Sequence, residues 1–344
     1  MSAAHLWRSE LLGEGDTLDL RQGTLEYHRR GNGPVLVFCH GWLANANLWR
    51  NVIEQLADRF TCIALDLPLG SHRIAMANDA DLSPAGCGKL INDALEGLDL
   101  DDVTLIGNDS GGAYSQIAVA ERPKRVARLA LNSCETPYDE FPPPPFDGLP
   151  AAARDPETLG LLLGALRDPQ VRRAPAAYGS LIKHPIEPRV SDSFALPCLH
   201  DAAVLRDTAK VFSSAKSAPV QIAGASLIES FAAPVLLAWG NEDQVFAPAH
   251  ARRYSEALPD GRLHLIDDAY SFTPEDQPTA LASALADFVA QPSSQDRAAS
   301  AAVREQDAGI ALQEQPSLGR CRAPTPVDDL ALSQDAPPAG PHRA

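Results

Sequence analysis

The chain has 344 residues, 45% hydrophobic and 22% charged, with 29 Lys and Arg set against 45 Asp and Glu for a formal net charge of −16. That length supplies a sizeable core, as one large domain or two small ones, while the acidic balance leaves no basic stripe to neutralise phosphates and argues against nucleic acid or an anionic membrane as partner. No apolar run approaches the roughly 18 residues that span a bilayer, and Met1–Asp16 lacks the basic and apolar regions of a secretory leader, so a cytoplasmic protein is expected.

Six short apolar runs read as strands: Val35–Cys39, Cys62–Leu65, Val103–Ile106, Leu129–Asn132, Val235–Trp239 and Leu263–Ile266. Most are nearly continuous in apolar residues and alternate with helix-like stretches, the pattern of a mostly parallel central sheet with helices on both faces. Between the fourth and fifth runs lie about 100 residues, too many for a structureless loop in a compact domain. They hold a proline cluster (Phe141–Phe146), a leucine-rich helix (Thr158–Leu166) and further helical stretches to Ser230. The expected organisation is an α/β core in two parts, 1–135 and 231–290, a helical cap at 136–230 and a disordered tail at 291–344, where aromatic residues are absent. Six cysteines (Cys39, Cys62, Cys87, Cys134, Cys198, Cys321) lack C-x-x-C spacing and read as free, mostly buried thiols.

The most informative segment runs from Val103 to Tyr114, where a strand enters a helix through Gly107-Asn108-Asp109-Ser110-Gly111. Glycines two before and two after a central residue mark a nucleophile elbow, a strained turn that closes only around small neighbours. Centring on Asp109 places Gly107 and Gly111 correctly, whereas centring on Ser110 puts Asn108 where the first glycine belongs. The reactive position therefore holds a carboxylate, and the serine beside it is a decoy. A carboxylate there attacks an alkyl carbon bearing a leaving group and forms an ester to the chain. The alternative for Asp109 is a carboxylate that caps the following helix.

The elbow, the strand pattern and the inserted helices together resemble the α/β-hydrolase family over roughly residues 20 to 290, and the aspartate resembles its haloalkane dehalogenase and epoxide hydrolase branch. Val37–Trp42 (VFCHGW) resembles the family's oxyanion loop, Leu48–Ile53 the helix that follows it, and Trp239-Gly240-Asn241-Glu242-Asp243 the turn carrying the family's acid. The resemblance implies an α/β-hydrolase fold, Asp109 as nucleophile and Asp243 as the acid that orients a base. It also implies the backbone N–H groups of Ser110 and Trp42 as oxyanion or leaving-group donors. The Trp42 indole N–H is a further donor for a halide, its alternative being an aromatic plug under the insertion. The alternative for Asp243 is a solvated turn aspartate.

One element departs from the pattern. Aligned backwards from Pro278 through Phe272, the family's histidine position is occupied by Ser271, whose hydroxyl cannot deprotonate water unaided. Of the nine histidines, His72, after the second strand run, is the best placed to substitute, although a structural histidine is the blander reading for each of them. The expected function is hydrolysis of a small or medium apolar substrate, haloalkane dehalogenase-like. The alternatives are an epoxide hydrolase, and a non-hydrolytic enzyme or ligand-binding protein on the same fold. Tyr178 is the candidate substrate contact from the insertion, with Tyr138 read as packing. No phosphate loop, metal-ligand cluster or dinucleotide fingerprint appears, so the expected partner is a small-molecule substrate, with no cofactor and no metal.

Overall fold

In the computed structural model of the chain, residues 4–291 are described, and they fall within one compact unit. The tail expected from 291, and Cys321 with it, lies outside the described residues from 292 onward. Eight strands form one sheet: β1 (Glu14–Leu20), β2 (Gly23–Arg30), β3 (Val35–Cys39), β4 (Thr61–Asp66), β5 (Val103–Asn108), β6 (Val126–Asn132), β7 (Val235–Gly240) and β8 (Gly261–Ile266). Their order is β1-β2-β4-β3-β5-β6-β7-β8. The pairings β1 with β2 and β2 with β4 are antiparallel, and all others are parallel. The sheet is that of an α/β-hydrolase fold.

All six expected strands are present. The first two, β1 and β2, were not anticipated: β2 buries the polar Glu26 and His28 beside Leu25, and β1 is open to solvent. Glu14–Leu20 is exposed along most of its length, so it carries none of the apolar continuity that marks a strand covered on both faces. Its pairing with β2 comes from a two-residue connection, Arg21–Gln22, closing Leu20 onto Gly23.

The helices are α1 (Arg50–Leu56), α2 (Pro84–Gly97) and α3 (Ser110–Glu121), then α4 (Leu149–Ala152), α5 (Pro156–Gly164), α6 (Pro188–Ala195), α7 (Pro197–His200), α8 (Ala202–Ser213) and α9 (Ser217–Ser230) between β6 and β7, and finally α10 (Pro248–Ala257), α11 (Thr273–Asp276) and α12 (Pro278–Ala290). Local chemistry starts several of them. Ser83 accepts from the Gly86 amide ahead of Pro84, and Asp155 accepts from Thr158 ahead of Pro156. In each case a capping oxygen precedes a proline at the first helical position, where a missing N–H costs nothing. The segment between β6 and β7 is helical throughout its regular structure, as its leucine and proline pattern predicts. Five cysteines, Cys39, Cys62, Cys87, Cys134 and Cys198, are buried and free. No helix among the described residues is long and apolar enough to cross a membrane.

Parallel strands β3 and β5 lie side by side at the centre, pairing Phe38 with Ile106 and Cys39 with Gly107. Their carboxyl ends therefore release two loops, one beginning at His40 and the other at Asp109, next to each other. The approach is so close that a Cβ on Gly111 would lie 2.4 Å from the His40 carbonyl oxygen and 2.5 Å from that of Cys39. Backbone atoms of paired strands cannot retreat, so Gly111→Ala is expected to cost about 3 kcal/mol or more in urea denaturation. Gly148→Ala is the control. Nothing lies within 4 Å of a Cβ there, its φ is −79°, and the change is expected to be neutral or to stabilise by about 0.5 kcal/mol.

Candidate active site

Asp109 sits at the end of β5 with φ +53° and ψ −141°. A non-glycine residue in this region is strained and persists only where the surroundings determine it. Its Oδ1 accepts the Ser110 N–H at 2.5 Å. A Cβ on Gly41 would stand 2.3 Å from the same oxygen, so the loop after β3 presses its backbone against the carboxylate and needs glycine to do so. The turn is the expected elbow, centred on Asp109. The carboxylate does not reach the second or third amide of α3 in the usual capping manner.

Ser110 is buried, and its Oγ accepts the Trp42 amide at 2.9 Å. The hydroxyl thus ties the two loops together. Trp42 requires a correction. Its indole N–H donates to the Tyr114 hydroxyl at 2.9 Å, and its ring stacks on Phe212 of α8 with centroids 4.2 Å apart. The indole is committed to packing beneath the inserted helices and is not free to meet a halide, which leaves its backbone amide as the group near the carboxylate.

A cavity of about 410 Å³ opens over Asp109. Apart from Asp109, Ser110, Trp42, Glu135 and Tyr178 its lining is aliphatic, prolyl or phenylalanyl, including Pro142, Pro143, Phe146, Leu163, Leu166 and Phe246. The proline cluster and the leucine-rich helix therefore both contribute wall. Tyr178 lines the cavity as expected, but its hydroxyl donates to the Leu43 carbonyl at 2.8 Å, so it offers a ring face and not a free proton. Tyr138 is absent from the lining and instead lies under the Arg253 guanidinium, 3.8 Å from the ring centroid.

The turn after β7 holds Asp243, whose Oδ1 accepts from the amides of Val245 and Phe246 at 2.9 Å each and from Ser271 Oγ at 2.7 Å. Its Oδ2 is buried with no hydrogen-bond partner. It is therefore not a solvated turn residue. Ser271 occupies the place opposite this carboxylate and is fully buried. The Asn108 side chain, one residue before Asp109, donates to the Ser271 carbonyl at 2.8 Å, which fixes the loop against the elbow. Neither Asp243 nor Ser271 lines the cavity, and no histidine does. His72 is buried elsewhere, with Nε2 3.4 Å from Asp207 Oδ2, and does not line the cavity. His40 accepts the Leu67 amide at 2.9 Å, and burial lowers its imidazole to about 4, so it is a neutral strut of the loop.

Glu135, which no motif singled out, joins the site. It lies three residues beyond β6, is 1% exposed, lines the cavity with Asp109, and leaves Oε2 buried without a hydrogen-bond partner. The available signal was its position at the carboxyl end of a parallel strand, where such folds gather their ligands. Burial, with the charge of Asp109 added, raises its carboxyl well above the usual range. Burial likewise pushes Asp109 and Asp243 up to about 6, against the hydrogen bonds each accepts.

The α/β hydrolase fold family model matches residues 34–278. The chain belongs to the α/β-hydrolase family. It is 27% identical to haloalkane dehalogenase 2 of Mycobacterium tuberculosis, covering 79% of this chain and 93% of that protein. It is 29% identical to an uncharacterized protein of the same species over 82% of this chain and 83% of the other. Among solved structures, an α/β hydrolase fold protein from Burkholderia ambifaria superposes with a TM-score of 0.67 at 20% identity, covering 79% of this chain and 97% of that one. This last likeness concerns the fold alone.

Folded Asp109 holds its proton up to about pH 6, whereas the unfolded residue releases it near its ordinary 3.8. Between these values the folded state binds more protons, so the parent loses stability relative to Asp109→Asn as pH rises. The two are expected to melt together near pH 4 and to diverge above it. By pH 7 the variant should lead by up to about 3 kcal/mol, read by thermal melts across the series.

Proposed function

We propose that this α/β hydrolase acts through Asp109 as a carboxylate nucleophile on a small or medium apolar substrate carrying a leaving group on an alkyl carbon, in the manner of a haloalkane dehalogenase. The observation that supports this most is the placement of one strained, buried carboxylate at the elbow, facing an aliphatic cavity, with the decoy serine occupied by the Trp42 amide. Residues 136–230 serve in this reading as a cap that supplies the apolar wall.

An Asp109 oxygen attacks the alkyl carbon, the carbon–leaving group bond breaks with its electron pair on the leaving atom, and an ester to Asp109 forms. The aliphatic lining excludes water from the attacking carboxylate and leaves it poorly solvated, which raises its reactivity toward carbon. The Ser110 amide donates to the carboxylate and is the donor nearest to charge that develops there, while the Trp42 amide holds the Ser110 hydroxyl. Asp243, holding Ser271, keeps the last loop in place and does not touch the substrate. The dehalogenase named among the relatives is consistent with this chemistry.

Peptide mass spectrometry after incubation with 1-bromobutane is expected to show an alkyl adduct on the peptide containing Asp109, and none with Asp109→Asn. Only the ionised carboxylate attacks, so the rate of adduct formation should rise with pH and reach half its plateau near pH 6. Product release by Asp109→Asn at the parent's rate would sink the proposal.

A further inference from the structure

A single exposed leucine is ordinary on a protein surface, but two of the six large apolar side chains exposed among the described residues have a particular place. Leu162 of α5 is 51% exposed and Val171 is 36% exposed, and both line the cavity that holds Asp109. Leu161, the residue before, is 78% exposed and does not line it. Leu163 and Leu166, one and four positions beyond Leu162, are buried in the cavity wall, so this stretch carries apolar side chains from the interior out to the surface. Pro145, Ala165 and Ala176 are likewise exposed residues of the lining. Asp109, by contrast, is buried at the end of β5. The cavity therefore has a deep end, where the carboxylate is fixed, and an open end whose side chains are all apolar.

Resting on the reading of Asp109 as nucleophile, we propose that the substrate is an elongated alkyl chain attacked at one end, and that its far end lies against Leu162 and Val171, which set the preference for chain length. A short chain attacked by Asp109 stays at the deep end and leaves the opening to water. A longer chain carries methylene groups out to the rim, where Leu162 and Val171 take them out of water. Each methylene buried in this way improves binding by up to about fourfold. The reacting carbon is the same in both cases, so the remote contacts act on the capture of dilute substrate and leave the geometry of attack alone. They also give the two side chains a function that accounts for their exposure. A surface that merely adsorbed apolar molecules would use Leu161, the most exposed of the three, at least as well. A chain lying in the cavity mouth uses Leu162 and bypasses Leu161.

The test measures second-order rate constants for adduct formation on the Asp109 peptide with 1-bromobutane and 1-bromooctane, each below its solubility limit, and reads their ratio. The parent is expected to favour the octyl compound about 10-fold or more. Leu162→Gln, which keeps a good helix former at an exposed position, should lower that ratio about fivefold, and the nearly isosteric Val171→Thr should lower it as well. Leu161→Gln should leave it at the parent's value. A parent ratio near one would overturn the inference, as would ratios in Leu162→Gln and Val171→Thr equal to the parent's. So would a fall in Leu161→Gln as large as that in Leu162→Gln, which would mark adsorption to the surface. If neither bromide alkylates the parent, the nucleophile assignment itself has failed, and the inference falls with it.

Discussion

The turn at Asp109 is the constraint on which the site depends. Parallel pairing of β3 with β5 delivers two loops to the same point, and they fit only because Gly41 and Gly111 carry no side chain where the backbones meet. The aspartate is left in a backbone conformation costing of order 1–3 kcal/mol, which the surrounding sheet supplies. In return its carboxylate is held on the floor of the cavity instead of swinging toward solvent. The hydrogen bond from the Trp42 amide to Ser110 Oγ closes the arrangement.

A second feature is the treatment of buried carboxyls. Several are matched with arginine, Arg8 with Asp66 at 2.6 Å, Arg50 with Glu275, and Arg206 with Asp207 at 2.8 Å, while Asp276 is held by backbone amides of Lys183, His184 and Tyr270. Asp109 and Glu135 are also buried, and Asp243 is half-buried with its Oδ2 enclosed, yet no ion pair to any of the three is formed among the described residues. Uncompensated burial raises all three, and such carboxyls gather at sites of chemistry more often than in cores. Asp243 retains three hydrogen bonds and acts as an anchor for its turn. Asp109 and Glu135 are both among the residues lining the cavity, Glu135 with its Oε2 enclosed.

The helical segment between β6 and β7 contributes the rest of the environment. It is bound to the core by specific contacts, among them Tyr178 to the Leu43 carbonyl, Phe212 on the Trp42 ring, and the amides of Lys183 and His184 on the Asp276 carboxylate. Aliphatic side chains of the same segment, among them Leu163 and Leu166, line the cavity. A pocket of this size with so aliphatic a lining suits an apolar molecule.

Much of this was written in the chain itself. The six buried strands are legible because burial on both faces demands apolar continuity. The elbow is legible because a strained turn admits only small residues at fixed spacing, which selects Asp109 over Ser110. Ser271 is likewise readable as a serine where the resemblance expects a histidine, and the structure places its hydroxyl on Asp243. The edge strand β1 was not legible, because an exposed strand carries no hydrophobic signature and is stabilised by its hydrogen-bonded neighbour, nor was β2, whose buried positions include the polar Glu26 and His28. The commitment of the Trp42 indole to Tyr114 and the meeting of Glu135 with Asp109 in one cavity were decided by tertiary structure alone. Each joins residues far apart in sequence, and only the order of strands in the sheet determines which strand ends become neighbours.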